Sequence, residues 1–281
     1  IRKAVSALID TVEGKTPAIT KSQLGLLGFD IDNADGDVNT PSVTDDNLSA
    51  IQAALLGADV STNYDAIDTL SEVQAVVNGA INALEAVKTE ADADDGDSIT
   101  VAQLEAMGVD RAVDTGADAN IALINSILDG SAASSDANTL EKVQKLVDVA
   151  VKVVDLAGDV SAAKLTQAEL TLIGITGVNS ATKLALVNDL LVADSTAQAA
   201  LSDIQTFANV AAKVITNLEL ATSATFDDTN ALTAAELVTL GMTQDTGTPR
   251  TLVSSGAATD SVNAENLGLI RLAIASAGSS T

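Results

Sequence analysis

Two short stretches of this 281-residue chain gather carboxylates at a spacing that could hold a hard cation. "FDIDNADGDVNT" carries Asp30, Asp32, Asp35 and Asp37, and "EADADDGDSIT" carries Asp92, Asp94, Asp95 and Asp97. Each sets a glycine among the acids, as a tight loop of oxygen ligands around calcium does. The EF-hand register does not fit: with Gly36 or Gly96 at the sixth place, Ile31 or Ala91 falls at the first, and no glutamate stands at the twelfth. The favoured reading is a solvated acidic turn whose charge suits the positive end of a following helix. Calcium remains a possible ligand and no cofactor is required. The corresponding stretch "GDVSAAKLT" is poor in acids, so a cation would not be common to all parts of the chain.

Other chemistry has little to work with. The chain has no histidine and no cysteine, which removes imidazole acid–base catalysis, thiolate ligation and disulfides. Its single tyrosine is Tyr64, and no serine sits in a GxSxG elbow. A glycosidase-like pair needs two carboxylates facing each other, whereas these acids are dispersed. The expectation is a protein that is not an enzyme. Lys and Arg number 14 against 39 Asp and Glu, a formal charge of −25 that would repel nucleic acid and anionic membranes. No apolar run reaches the roughly 18 residues needed to span a bilayer, so membrane insertion is not expected.

What must position the acidic loops is helical and repeated. "TKSQLGLLG" from Thr20 returns as "TVAQLEAMG" from Thr100, "TQAELTLIG" from Thr166 and "TAAELVTLG" from Thr233. Threonine is a helix cap, Gln or Glu at the third helical place can return a bond to it, and glycine ends the helix in the left-handed conformation. This short helix is the A segment. A medium B segment follows each, as "NLSAIQAALL" from Asn47, "NIALINSIL" from Asn120, "KLALVNDLL" from Lys183 and "NLGLIRLAI" from Asn266. A long C segment follows three of them, from Thr69, Thr139 and Ala200, sharing LxxV/IQ; Gln74, Gln144 and Gln205 in it read as buried side chains that bond a neighbouring loop backbone.

The expected fold is all-α, with tandem three-helix repeats stacked into an elongated rod. Apolar residues make up 47% of the chain and aromatics 1%, which suits thin layers of Ala, Val, Leu and Ile that need neighbours to be stable. Residues 1–14 read as a C-type helix completing a preceding unit. Residues 15–87, 88–157 and 158–221 read as three full repeats, and 222–281 as a fourth with A and B only. "AVSALID" from Ala4 aligns with the back halves of the C segments at Ala80, Ala150 and Ala211, so its front half is expected to lie before Ile1. Ala4, Val5, Leu8, Ile9 and Val12 at one end, and Leu267, Ile270 and Ile274 at the other, are therefore the expected assembly interface.

The phrases "LTAAELVTLGM", "DDNLSAIQAALL" and "DTLSEVQAVVNGAINAL" resemble the helical repeat modules of very large secreted bacterial surface and adhesin-like proteins. The resemblance implies an extracellular or cell-surface location and a structural or adhesive task. The expected function is a segment of a surface rod or filament whose partners are copies of itself, joined head to tail, or adjacent repeats of a longer chain. The alternative is an adhesin module using the long loops Phe29 to Asp46 and Met242 to Glu265 to contact a cell-surface ligand.

Overall fold

A computed structural model describes residues 1–34, 41–58, 69–92, 98–109, 117–130, 137–194, 200–220, 232–240, 243–244 and 261–262. The described chain is all-α apart from two short strands. In order the helices are α1 (Arg2–Val12), α2 (Lys21–Leu26), α3 (Leu48–Ala58), α4 (Leu70–Asp92), α5 (Val101–Ala106), α6 (Ala117–Asp129), α7 (Leu140–Leu156), α8 (Gln167–Leu172), α9 (Ala181–Ala193), α10 (Leu201–Leu220) and α11 (Ala234–Thr239). The strands β1 (Thr243–Gln244) and β2 (Ser261–Val262) pair in parallel. The A segments become α2, α5, α8 and α11, the B segments α3, α6 and α9, and the C segments α4, α7 and α10.

Every A helix starts the same way, for one reason. The threonine before it, Thr20, Thr100, Thr166 or Thr233, accepts from the backbone N–H of the third helical residue, whose side chain returns a bond to the threonine N–H. A six-residue helix is far too short to hold itself, so caps of this kind, each contributing about 0.5–2 kcal/mol, fix where it begins. Three of the four also end alike, and Gly241, at the matching place of the fourth, lies outside the described residues. Gly28, Gly108 and Gly174 have φ of +97°, +79° and +81°. The glycine N–H bonds the carbonyl three residues back, and the next N–H, from Phe29, Val109 or Ile175, bonds that of Leu24, Leu104 or Leu170. That is the paired closure of a Schellman motif.

One place in the A helices and one in the C-type helices are buried in every copy. Leu24, Leu104, Leu170 and Leu237 of the A helices are fully enclosed, as are Ala4, Ala80, Ala150 and Ala211 of the C-type helices. The small alanine lets a neighbouring element approach the long helix closely. Two B helices start earlier than their apolar pattern marks: α6 at Ala117, and α9 at Ala181, where Ser180 accepts from Lys183 N–H. The α9 start is set by its polar cap, which an alignment of apolar positions does not register.

The chain divides into two compact units, Ile1–Val151 and Lys152–Thr281. In the first, α3 packs on α4 and α1 packs on α2 and α3. Ile19, Leu24, Val43, Ile51, Leu55, Val73, Val77 and Ile81 form one buried cluster, with Ala7, Leu8 and Val12 of α1 against its edge. Gly108 approaches α3 so closely that a Cβ there would stand 2.5 Å from Ala53 Cβ. In the second unit α9 packs on α10, and α10 also touches α11.

Candidate functional site

The first acidic loop is organised by a lysine. Lys21, at the start of α2, places Nζ 2.9 Å from Asp32 Oδ2 and 2.9 Å from Asp45 Oδ1. The hydrogen bonds to Asp45 and Asp32 raise the Lys21 pKa above its ordinary value. Asp32 and Asn33 are both left-handed, with φ of 54° and 55°. Asp30 turns back on its own loop, its Oδ1 accepting from Ala34 N–H at 3.1 Å. Val43 closes the far side, donating to Asp30 O and accepting from Asp32 N–H. Asn47 is buried, and its amide donates to Ser42 O and accepts from Thr44 N–H. The described part of this loop is thus tied by an ammonium ion and backbone bonds. Asp35, Asp37, Asp94, Asp95 and Asp97 lie outside the described residues, and Asp92 is the last residue of α4. Among the described residues, no group of three acids is gathered as a metal site requires.

Beside the second acidic stretch is a depression of about 290 Å³ lined by Ala86, Thr89, Glu90, Ser98, Ile99 and Gln103. Glu90 is buried in it. Its polar lining is the Thr89 and Ser98 hydroxyls, the Glu90 carboxyl and the Gln103 side-chain amide.

The most regular polar geometry holds the protein's own backbone. In the second unit the Asn188 amide embraces Leu165, the residue before the Thr166 cap: Oδ1 accepts from Leu165 N–H at 2.8 Å and Nδ2 donates to Leu165 O at 3.0 Å. In the first unit Asn125 does the same to Ile99, at 3.0 Å and 3.2 Å. At the matching place on α3 stands Gln52, which donates to Ile19 O at 2.7 Å. There the Ile19 N–H goes instead to Thr11 Oγ1 of α1, at 2.6 Å. Gln52, Asn125 and Asn188 were legible in "AIQAALL", "LINSIL" and "LVNDLL" as an amide following a buried Ile or Val, but the apolar stripe alone does not single them out.

The C-segment glutamines divide. Gln205 clasps the loop after α8, accepting from Thr176 N–H at 3.0 Å and donating to Thr176 O at 3.2 Å. It is only half-buried, as is Gln144, which donates to Asp148 Oδ1; Gln74 is exposed. Reading all three as buried is corrected: LxxV/IQ places the glutamine beside, not on, the apolar stripe that Val73, Val143 and Ile204 occupy.

Two ion pairs join a C helix to the A helix after it. Lys152 Nζ lies 2.8 Å and 2.9 Å from the Glu169 carboxylate oxygens, and Lys213 Nζ lies 2.8 Å from both oxygens of Glu236. Burial by itself would raise both glutamate pKa values. The lysine bonds and those from the capping threonines outweigh it, and both carboxyls are held below the ordinary 4.5.

Of the expected interface residues, Ala4 is buried, while Leu8 and Val12 pack against the first unit's own cluster. Val5 and Ile9 are exposed, with Ile1 on the same stripe one helical turn before Val5. Leu267, Ile270 and Ile274 lie outside the described residues. Among the described residues no helix is long and apolar enough to cross a membrane. No family model, curated protein or solved structure matches the chain.

Proposed function

We propose that this chain is a non-enzymatic extracellular structural protein, a segment of a cell-surface rod built from tandem three-helix repeats that join by completing helical units. One observation carries the reading. Ile1 and Val5 are 79% and 41% exposed, yet they align with Val77 and Ile81 of α4, which are buried in one cluster with Ile51 and Leu55 of α3. Val147 and Ala208, at the place of Ile1 in α7 and α10, are fully buried too. A B-type helix is what covers this stripe on α4. The same kind of helix, from a second copy or an adjacent repeat of the same protein, fits the stripe on α1. The polar geometry supports the reading as well, since its most regular bonds are spent on holding helix starts in place. Calcium bound by the acidic loops would be an accessory to such a rod.

Light scattering and electron images at physiological salt test the proposal. End-to-end association or added repeats seated on α1 is expected, and Val5→Glu with Ile9→Glu should abolish it. A chain that stays monomeric at every concentration, with α1 uncovered in a longer natural chain, would overturn it.

A further inference from the structure

Two positions change in step along the chain, and the fold joins them where they are lysine and glutamate. The first lies two places after the buried C-helix alanine and is Ser6, Asn82, Lys152 and Lys213 in turn. The second is the third residue of the following A helix and is Gln23, Gln103, Glu169 and Glu236. Lysine occurs in the first place only where glutamate occurs in the second. Where the second is glutamine, the first is a short neutral side chain. The pairing does not depend on loop length: Lys152 and Glu169 are 17 residues apart and Lys213 and Glu236 are 23 apart, yet both pairs close with two short bonds. Glutamine and glutamate both close the capping box, as Thr20 with Gln23 and Thr166 with Glu169 demonstrate. Capping therefore does not explain why the acid appears only opposite lysine.

We propose that this pair of positions is a register key, which sorts C-to-A junctions into a neutral class and a charged class and so determines which A helix docks on which C helix. Near-identical segments in one chain are prone to docking on the wrong copy during folding. Specificity then needs a penalty on the wrong pairing as well as a gain on the right one. α5 docked on the C helix of Lys152 would set Gln103 against the ammonium in place of a carboxylate. α8 docked on α4 would leave the Glu169 carboxylate against Asn82. Both Lys152 and Glu169 are half-buried, so neither charge is fully repaid by water.

The test exchanges the keys without changing composition or net charge. Gln103→Glu together with Glu169→Gln mismatches both junctions and keeps both capping boxes. Adding Asn82→Lys and Lys152→Asn matches them again. The folded-to-unfolded ratio of the two-site variant should fall roughly fivefold for each mismatched junction. The four-site variant should return to near the parent, with the recovery shrinking at about 1 M salt, where charges are screened. If the two-site variant does not fold, refolding of the four-site variant still reads the key. A four-site variant no better than the two-site variant, or a recovery indifferent to salt, overturns the proposal.

Discussion

The side-chain amide of Asn188 closes a two-bond ring on the backbone of Leu165, at 2.8 Å and 3.0 Å, and so fixes the approach to the Thr166 cap from another helix. Both residues are buried, so neither Leu165 group can turn to water when the amide is lost. Asn188→Ala should therefore cost about 1–3 kcal/mol, the penalty of stranding a buried donor and acceptor. Asn188→Asp should cost as much, because it keeps the acceptor but replaces the donor with a second acceptor facing Leu165 O. Urea unfolding of both variants measures this, and a loss confined to a few tenths of a kcal/mol would show that the ring is dispensable.

The Ile19 arrangement predicts a rescue. Thr11 supplies the acceptor that Asn125 and Asn188 supply elsewhere, while Val87 and Ala157 stand at the place of Thr11 in α4 and just after α7. Thr11→Val keeps the shape and orphans the Ile19 N–H, at a cost of about 1–3 kcal/mol. Gln52→Asn added to Thr11→Val should recover part of that loss by giving Ile19 the two-bond ring. The same change in the parent should gain nothing. Thermal melts of the four proteins close the cycle, and a Gln52→Asn effect that is equal in both backgrounds would contradict it.

Most of the helical architecture was legible in the sequence because it rests on local rules. Thr20, Thr100, Thr166 and Thr233 with their Gln or Glu partners mark four helix starts, and all four form the bonds that the pattern implies. Gly28, Gly108 and Gly174 stop three of those helices in the expected conformation. Contacts between segments were harder to read. The bonds of Asn188 to Leu165 and of Lys213 to Glu236 each bridge 23 residues, and nothing local to any of the four announces a partner. They become visible when copies are aligned column by column, because an amide stands in one column in three of the four B segments, with Arg271 in the fourth, and Lys and Glu change together in two. Of the acidic loops, sequence gave the clustering of charge but not its neutralisation, since Lys21 lies on the helix before Asp32 and Asp45.

Acid should weaken the second unit through its two charged junctions. Glu169 and Glu236 are held below 4.5 in the folded protein, so the stabilisation they add is present above that value and lost as pH falls through their lowered pKa values. Stability measured from neutral pH downward should begin to fall near pH 4.5. The double variant Glu169→Gln, Glu236→Gln should start from a lower stability and fall less steeply over the same range. Denaturant midpoints across the pH series test this, and parallel curves for the two proteins would assign the acid loss to other carboxylates.

Gly28 and Gly108 separate two costs that usually come together. Both have positive φ, at +97° and +79°, so alanine at either position is strained by about 1 kcal/mol or somewhat more. Around Gly28 nothing lies within 4 Å of where a Cβ would be, whereas at Gly108 a Cβ would stand 2.5 Å from Ala53 Cβ and 2.9 Å from the Ala53 carbonyl carbon. The obstacle is the backbone of α3, which cannot swing aside as a long side chain can. Gly108→Ala should therefore cost about 1–3 kcal/mol more than Gly28→Ala, through separation of α5 from α3. Ala53→Gly in the Gly108→Ala protein removes the nearest atom and should return a fraction of the difference, less its own helix cost of about 1 kcal/mol. Equal destabilisation by Gly28→Ala and Gly108→Ala would mean that α5 and α3 do not meet at this distance in solution.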